Sequence, residues 1–137
     1  MVREVKAEHL ETIKDLIQRT FTQCTEGCCG DALTNYLENE ITKDQLWYYL
    51  VEDKPVAVLG VRDNKEITAC YTEEAYQGKG AAKELFEAVK AILMARGSFT
   101  LTVKATEGSA GFFEKLGFRT VTVDDACSCC IPMVYKF

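Results

Sequence analysis

The segment Tyr76-Gln77-Gly78-Lys79-Gly80-Ala81-Ala82 runs straight into a helix-periodic apolar series, Leu85, Phe86, Val89, Ile92 and Leu93. A glycine-containing turn that opens a helix traps anions. The first backbone N–H groups have no intrahelical acceptor, and the helix dipole adds partial positive charge there. Gly78 and Gly80 remove the Cβ atoms that would hold a bulky phosphate away, and Lys79 adds a full charge. The segment reads as a pyrophosphate cradle, and so as the binding turn for a nucleotide-bearing cofactor.

Thiols form the second chemically suggestive set. The chain has 7 cysteines: Cys24, Cys28 and Cys29 in one cluster, Cys127, Cys129 and Cys130 in another, and Cys70 alone. The odd number, with nothing that marks secretion, argues for free thiols or metal ligands over a disulfide framework. A soft-metal site, a redox switch or thiol-mediated substrate recognition would use such clusters. The C-x₂-C pairs and histidine ligands of a zinc motif are missing, so no metal site is assigned. Free cysteines also serve as small apolar fillers, which is the reading for Cys70. The single histidine, His9, falls at a helix start and reads as solvated.

These residues need a frame. Val2 to Lys6 reads as a strand, and a helix from Ala7-Glu8 carries Leu10, Ile13, Leu16, Ile17 and Phe21 at helical spacing. Gln23 to Gly30 must be a loop, and Asp31 is an N-cap for a second helix with Leu33, Tyr36, Leu37 and Ile41. Leu46–Val51, Val56–Val61 and Glu66–Thr72 read as strands joined by turns at 52–55 and 62–65. Val56–Val61 is apolar almost throughout and is expected to be buried on both faces. A helix from Gly80 ends near Gly97 as its C′ residue, followed by a strand at Phe99–Val103 and a short helix at Ser109–Leu116. Phe118–Val123 and Ile131–Phe137 complete a β-α-α-β-β-β-α-β-α-β-β order. Strands 2 to 4 should be antiparallel, and strands 4 and 5, joined through a helix, parallel.

Bulk properties narrow the class. At 137 residues, 47% hydrophobic and with 2 Pro, the chain fits one globular domain spanning 1–137. Its apolar runs are too short to span a bilayer, and Met1 to Lys6 is charged where a signal peptide needs an apolar core. The expectation is a soluble cytoplasmic protein with no membrane partner. A net charge of −5 disfavours nonspecific nucleic-acid binding; it weakly favours a cationic small molecule, but acidity this modest is better explained as an aid to solubility.

Two motifs in this order carry a family resemblance. Gln77-Gly78-Lys79-Gly80-Ala81-Ala82 matches a Q/R-x-x-G-x-G/A signature, and Phe112-Phe113-Glu114-Lys115-Leu116-Gly117-Phe118 is similar to a later F-Y-E-K-L-G-F signature. Over nearly its whole length the chain resembles the GNAT superfamily of acyl-CoA-dependent N-acetyltransferases. The resemblance implies an α/β fold: a mixed, mostly antiparallel sheet of about seven strands with about four flanking helices. In the family that the chain resembles, strands 4 and 5 are parallel and splayed, and the thioester lies in the gap between them.

It further implies that the amides of Gln77, Gly78, Lys79, Gly80, Ala81 and Ala82 bind the pyrophosphate of acetyl-CoA. Cys70, Tyr71 and Thr72 would hydrogen-bond the pantetheine arm, and Phe112 and Phe113 would line the far side. Thr106 stands where an asparagine is common in the family. Lys83 is near enough to the turn to touch a phosphate. Both cysteine clusters would border the acceptor pocket.

The reaction so implied is acetyl transfer to the primary amine of a small molecule. It requires that an amine be oriented against the thioester and lose its ammonium proton, that the oxyanion be stabilised, and that the thiolate leave. The oxyanion donor would be a backbone N–H near Cys70 or Tyr71. Glu66 at the head of strand 4 is the expected base, with Thr68, Cys70 and Thr72 on its face by the period of two. Glu73, Glu74 and Glu107 are weaker candidates, and a water chain could replace a dedicated base.

Phe113 occupies the position where the family often has a tyrosine acid, so that role passes to Tyr71, Tyr135 or a thiol, or the thiolate leaves unassisted. Trp47, Tyr48 and Tyr49 either pack the core or line an acceptor pocket. A non-catalytic acyl-CoA-binding thiol or metal sensor, and a protein lysine or N-terminal acetyltransferase, are the alternatives. A homodimer is allowed.

Overall fold

A computed structural model describes residues 2–20, 36–105, 107–121 and 131–137. Seven strands form one sheet: β1 Val2–Glu4, β2 Gln45–Val51, β3 Lys54–Arg62, β4 Glu66–Thr72, β5 Thr100–Ala105, β6 Arg119–Thr120 and β7 Ile131–Lys136, in the spatial order β1-β2-β3-β4-β5-β7-β6. Among the described strands only β4–β5 is parallel. All other neighbours are antiparallel. The helices are α1 Leu10–Thr20, α2 Ala81–Ala95 and α3 Glu107–Leu116, and the helical piece Tyr36–Lys43 makes a fourth flank.

The strands of the β2–β4 meander are joined by turns that match the sheet's twist. Glu52 and Asp53 take φ of 51° and 63°, and Asp63 and Asn64 take 55° and 57°. Positive φ at both central residues suits the right-handed twist of paired strands, and Asp and Asn tolerate it better than most. The first turn is tighter than the sequence suggests. It ends at Asp53, so Lys54 and Pro55 already belong to β3, with a register irregularity at Tyr49/Leu50 accommodating the proline.

β3 is buried on both faces from Val56 to Val61, as its composition predicts. It divides two apolar clusters. Leu59 and Val61 join Trp47, Ile67, Leu85, Phe86, Val89, Leu93, Phe113 and Phe118 on the α2 side. Val58 joins Ile13, Leu16, Ile17, Leu37, Ile41, Leu46 and Tyr48 on the α1 side.

Helix ends follow their glycines. α2 stops in a Schellman arrangement. Gly97 at φ 84° donates to the Met94 carbonyl at 3.0 Å, and the Ser98 N–H reaches the Leu93 carbonyl at 3.1 Å. α3 ends the same way: Gly117 at φ 112° donates to Glu114, and Phe118 donates to Phe113, both at 3.0 Å.

Several expected boundaries shift. β1 ends at Glu4, and Ala7–His9 is a 3₁₀ turn that precedes α1. In the second helical region Tyr36–Glu40 is a π-turn and Ile41–Lys43 a 3₁₀ turn, while Asp31 and Leu33 lie outside the described residues. The described part of the sixth strand is Arg119–Thr120, with Phe118 in the core before it. Among the described residues no helix is long and apolar enough to cross a membrane.

At Gly117 an added Cβ would meet Tyr135 Cε2 at 2.9 Å, on a backbone that L side chains avoid. Gly117→Ala is therefore expected to lower stability by about 1–3 kcal/mol, read as a lower denaturant midpoint. An unchanged midpoint would show that the Tyr135 ring yields freely.

Candidate functional site

The sheet carries one opening. β4 and β5 register at two positions, Glu66 with Thr102 and Ile67 with Val103. Past Ile67 no β5 residue is registered against β4, although β4 runs on to Thr72 and β5 to Ala105. β3 continues alongside β4 as far as Thr72, so one edge of β4 stays paired while the other faces a gap. The splay expected of strands 4 and 5 is present, with Glu66 at its closed end.

The glycine turn lies at the open end. Gly78 and Gly80 take φ of 77° and 88°, and a Cβ built on either meets nothing within 4 Å. Gln77 to Gly80 are exposed. The carbonyl of Gly80 accepts the first helical bond, from the Glu84 N–H at 2.9 Å. The amides of Ala81, Ala82 and Lys83 therefore precede the first intrahelical donor. An open, glycine-lined helix start beside Lys79 fits an anionic pyrophosphate.

Gln77 does more than offer its amide. Its Nε2 donates to the Thr72 carbonyl at 3.1 Å, stapling the turn to the last residue of β4. A second tie comes from Tyr49, whose hydroxyl donates to Glu84 in the first turn of α2 at 2.5 Å. That bond is the largest cause of Tyr49's raised pKa.

On β4 the period-two reading fails for a specific reason. β3 pairs Gly60 with Ala69 but Val61 with Ile67, so Thr68 is an extra, bulged residue. Ile67 and Cys70 therefore both face the α2-side cluster, and Tyr71 faces the α1 side. Thr68 and, by alternation from Ile67, Glu66 lie on the α1 side, while Cys70 and Thr72 lie on the other. The expectation that Glu66, Thr68, Cys70 and Thr72 share a face is thus corrected.

Burial pushes the Cys70 thiol up to about 12 and keeps it protonated. Burial, then the neighbouring Cys70, pushes the Tyr71 phenol up to about 12 as well, leaving it a neutral donor.

Glu66 registers opposite Arg62, whose guanidinium pairs with Asp44 and Glu40. Arg62's pKa is raised chiefly by its hydrogen bond to Asp44, with Glu40 and Glu66 adding to the field. Glu73 pairs with Lys54 at 3.5 Å.

Phe113 is a core residue, 3% exposed, with its ring 5.2 Å from Phe112 and 5.3 Å from Phe118. Phe112 is half-buried at the edge of the same cluster. Tyr135 packs against Phe86 and Phe118 with its hydroxyl accepting from Lys90 at 3.3 Å, which ties it under α2. Trp47 and Tyr48 are buried on opposite faces and serve the core. Lys90 also pairs with Glu87 at 3.1 Å, and Arg96 Nη1 donates to Gln45 at 2.5 Å and to Asn64 at 3.0 Å. The shallow cleft bounded by Asp63, Lys65, Arg96 and Phe99 lies at the other end of α2 from the glycine turn. Thr106 and the six clustered cysteines lie outside the described residues.

The acetyltransferase (GNAT) domain profile matches residues 6–136. The chain belongs to the GNAT acetyltransferases. It is an acyltransferase by family, and that family uses acetyl-CoA.

Its fold is shared with solved GNAT structures. A GCN5-related N-acetyltransferase from Rhodopseudomonas palustris superposes with a TM-score of 0.79 at 18% identity, covering 100% of this chain and 95% of that one. The PaiA N-acetyltransferase of Thermoplasma acidophilum, solved in complex with coenzyme A, gives 0.79 at 15% identity over 100% and 98%. The ribosomal-protein-S18-alanine N-acetyltransferase of Escherichia coli gives 0.75 at 17% identity over 99% and 92%. No curated protein sequence matches this chain.

For this GNAT chain the sequence reading missed Asp44, Arg62 and the Thr68 bulge. Asp44 precedes β2 and carries no motif, and its burial becomes visible only once β3 and β4 pack beside it. An isolated threonine in a strand gives no signal of a bulge.

The raised Cys70 and Tyr71 pKa values make the fold's stability depend on pH in the alkaline range. Unfolded, these groups ionise near their ordinary 9.0 and 10.0; folded, near 12. Their contribution is complete below pH 9.0 and is lost as pH rises towards 12. Denaturant midpoints are expected to fall above pH 9.0, and Cys70→Ala should flatten the first part of that fall. Cys70 should also resist iodoacetamide at neutral pH; rapid alkylation would show an accessible thiolate.

Proposed function

We propose that this chain is an N-acetyltransferase that moves the acetyl group of acetyl-CoA to the primary amine of a small molecule, by direct attack in a ternary complex. One observation carries the reading. An open glycine turn caps a strand whose far edge is released from its parallel neighbour after two paired residues. The turn suits a pyrophosphate, and the released edge of β4 suits an amide-bearing arm that runs from it.

In this reading Gln77, Gly78, Lys79, Gly80, Ala81 and Ala82 hold the pyrophosphate through backbone amides. Cys70, Tyr71 and Thr72 hold the pantetheine arm, Phe112 forms the far wall with Phe113 behind it, and Thr106 adds a hydroxyl. An N–H near Cys70 or Tyr71 receives the developing oxyanion, where a preorganised donor is worth most. Glu66 takes the ammonium proton. Tyr71, kept neutral by burial and on the same side of the sheet as Glu66, returns a proton to the leaving thiolate.

Thiol release from acetyl-CoA across a panel of small amines and short peptides tests this. Turnover is expected with a small amine. Tight acetyl-CoA binding without thiol release from any acceptor would leave a binding protein, and turnover confined to peptides would move the acceptor class. With an accepted amine, Glu66→Gln should lower kcat at neutral pH by about 10² or more. An unchanged pH–rate profile would remove Glu66 from the base role.

A further inference from the structure

We propose that Asp44 is a positioning residue for acetyl transfer: its buried carboxylate clamps Thr68 and Arg62, and so holds the bulge at which β4 parts from β5. The inference rests on the acetyltransferase reading above. It concerns a residue that reaches the reacting atoms only through others.

The geometry divides Asp44 between two strands. Its side chain is fully buried. Oδ1 accepts from Arg62 Nε on β3 at 2.7 Å, and Oδ2 accepts from Thr68 Oγ1 on β4 at 2.5 Å. Its own N–H is anchored to the Ile41 carbonyl at 3.2 Å. Arg62 is held from the other side by the Glu40 carboxylate at 3.3 Å. Thr68 is the extra residue of the β3–β4 register, directly after Ile67, where β4–β5 pairing ends.

Position gives the clamp its importance. A strand that loses its bulge shifts register by one residue, and every side chain beyond it changes face. Here those residues are Ala69, Cys70, Tyr71 and Thr72, the stretch that borders the gap. Regular pairing would send Tyr71 to the α2 side and Cys70 to the α1 side. The apolar pattern resists this only weakly, because Cys70 and Tyr71 are both partly buried where they stand. A buried ion pair contributes little net stability against an apolar replacement of equal shape, but it is sensitive to geometry and can select one arrangement.

The test compares Asp44→Asn, Thr68→Val and Thr68→Ser with the native chain. Without ligand, amide hydrogen exchange over β4 should speed up in Asp44→Asn and Thr68→Val and return towards native in Thr68→Ser. Unchanged exchange in Thr68→Val overturns the clamp, whatever the protein binds. With ligand, acetyl-CoA and ADP are titrated separately. ADP probes the glycine turn alone, and acetyl-CoA must also run along β4. Loss of the clamp should weaken acetyl-CoA binding about tenfold and leave ADP within about twofold. Equal weakening of both ligands would mark general destabilisation and overturn the positioning role. Should the native chain bind neither ligand while the exchange pattern holds, the acetyltransferase reading fails and the clamp stands as a register device. Thr68→Val preserves side-chain shape, so the result does not depend on Asp44→Asn folding.

Discussion

The architecture turns on how briefly β4 and β5 pair. Two registered residues are enough to join the halves of the sheet, and no more are used. A parallel strand that leaves its neighbour exposes backbone groups which in a closed sheet would be consumed by the ladder. Such groups are costly unless something bonds them, and a ligand arm with its own amides is a natural partner. The glycine turn follows β4 after the short 3₁₀ turn Glu74–Tyr76, and a helix starts directly behind it. Gap and cradle are thus consecutive in the chain.

The remaining elements brace the strands on either side of that opening. β7 inserts between β5 and β6, so β5 is paired along its length on the side away from the gap. α2 buries Leu85, Phe86, Val89 and Leu93 against the sheet, each worth about 1.5–3 kcal/mol, and is tied to β2 through Tyr49. The Phe112–Phe118 motif works here as a helix terminus. Its glycine takes the left-handed turn, and Phe113 and Phe118 meet across it in an aromatic group with Phe86 and Tyr135. The position that often holds a tyrosine acid in this family is thereby given to packing.

Much of this was legible in the residues. Helix-periodic runs, Asp-Asn and glycine turn signals, and the unbroken apolar stretch Val56–Val61 locate the central elements within a few residues, because each is a local consequence of backbone conformation or of one-sided burial. The glycine turn was legible for the same reason. Strand order was not: nothing local tells β7 to enter between β5 and β6. The faces of β4 were misread because period two assumes an uninterrupted ladder. Asp44 was invisible because an acidic residue between a turn and a strand looks solvated until two other strands cover it.

The sequence by itself determined which pieces exist, where the glycine turn lies, and that Phe113 cannot donate a proton. These depend on covalent structure and nearest neighbours. Tertiary structure alone decided that β4 and β5 part after Ile67, that Thr68 bulges, and that Glu66 and Tyr71 end on one side of the sheet with Cys70 on the other. Those outcomes arise from pairing and burial between residues distant in the chain, where one inserted residue reverses every face beyond it.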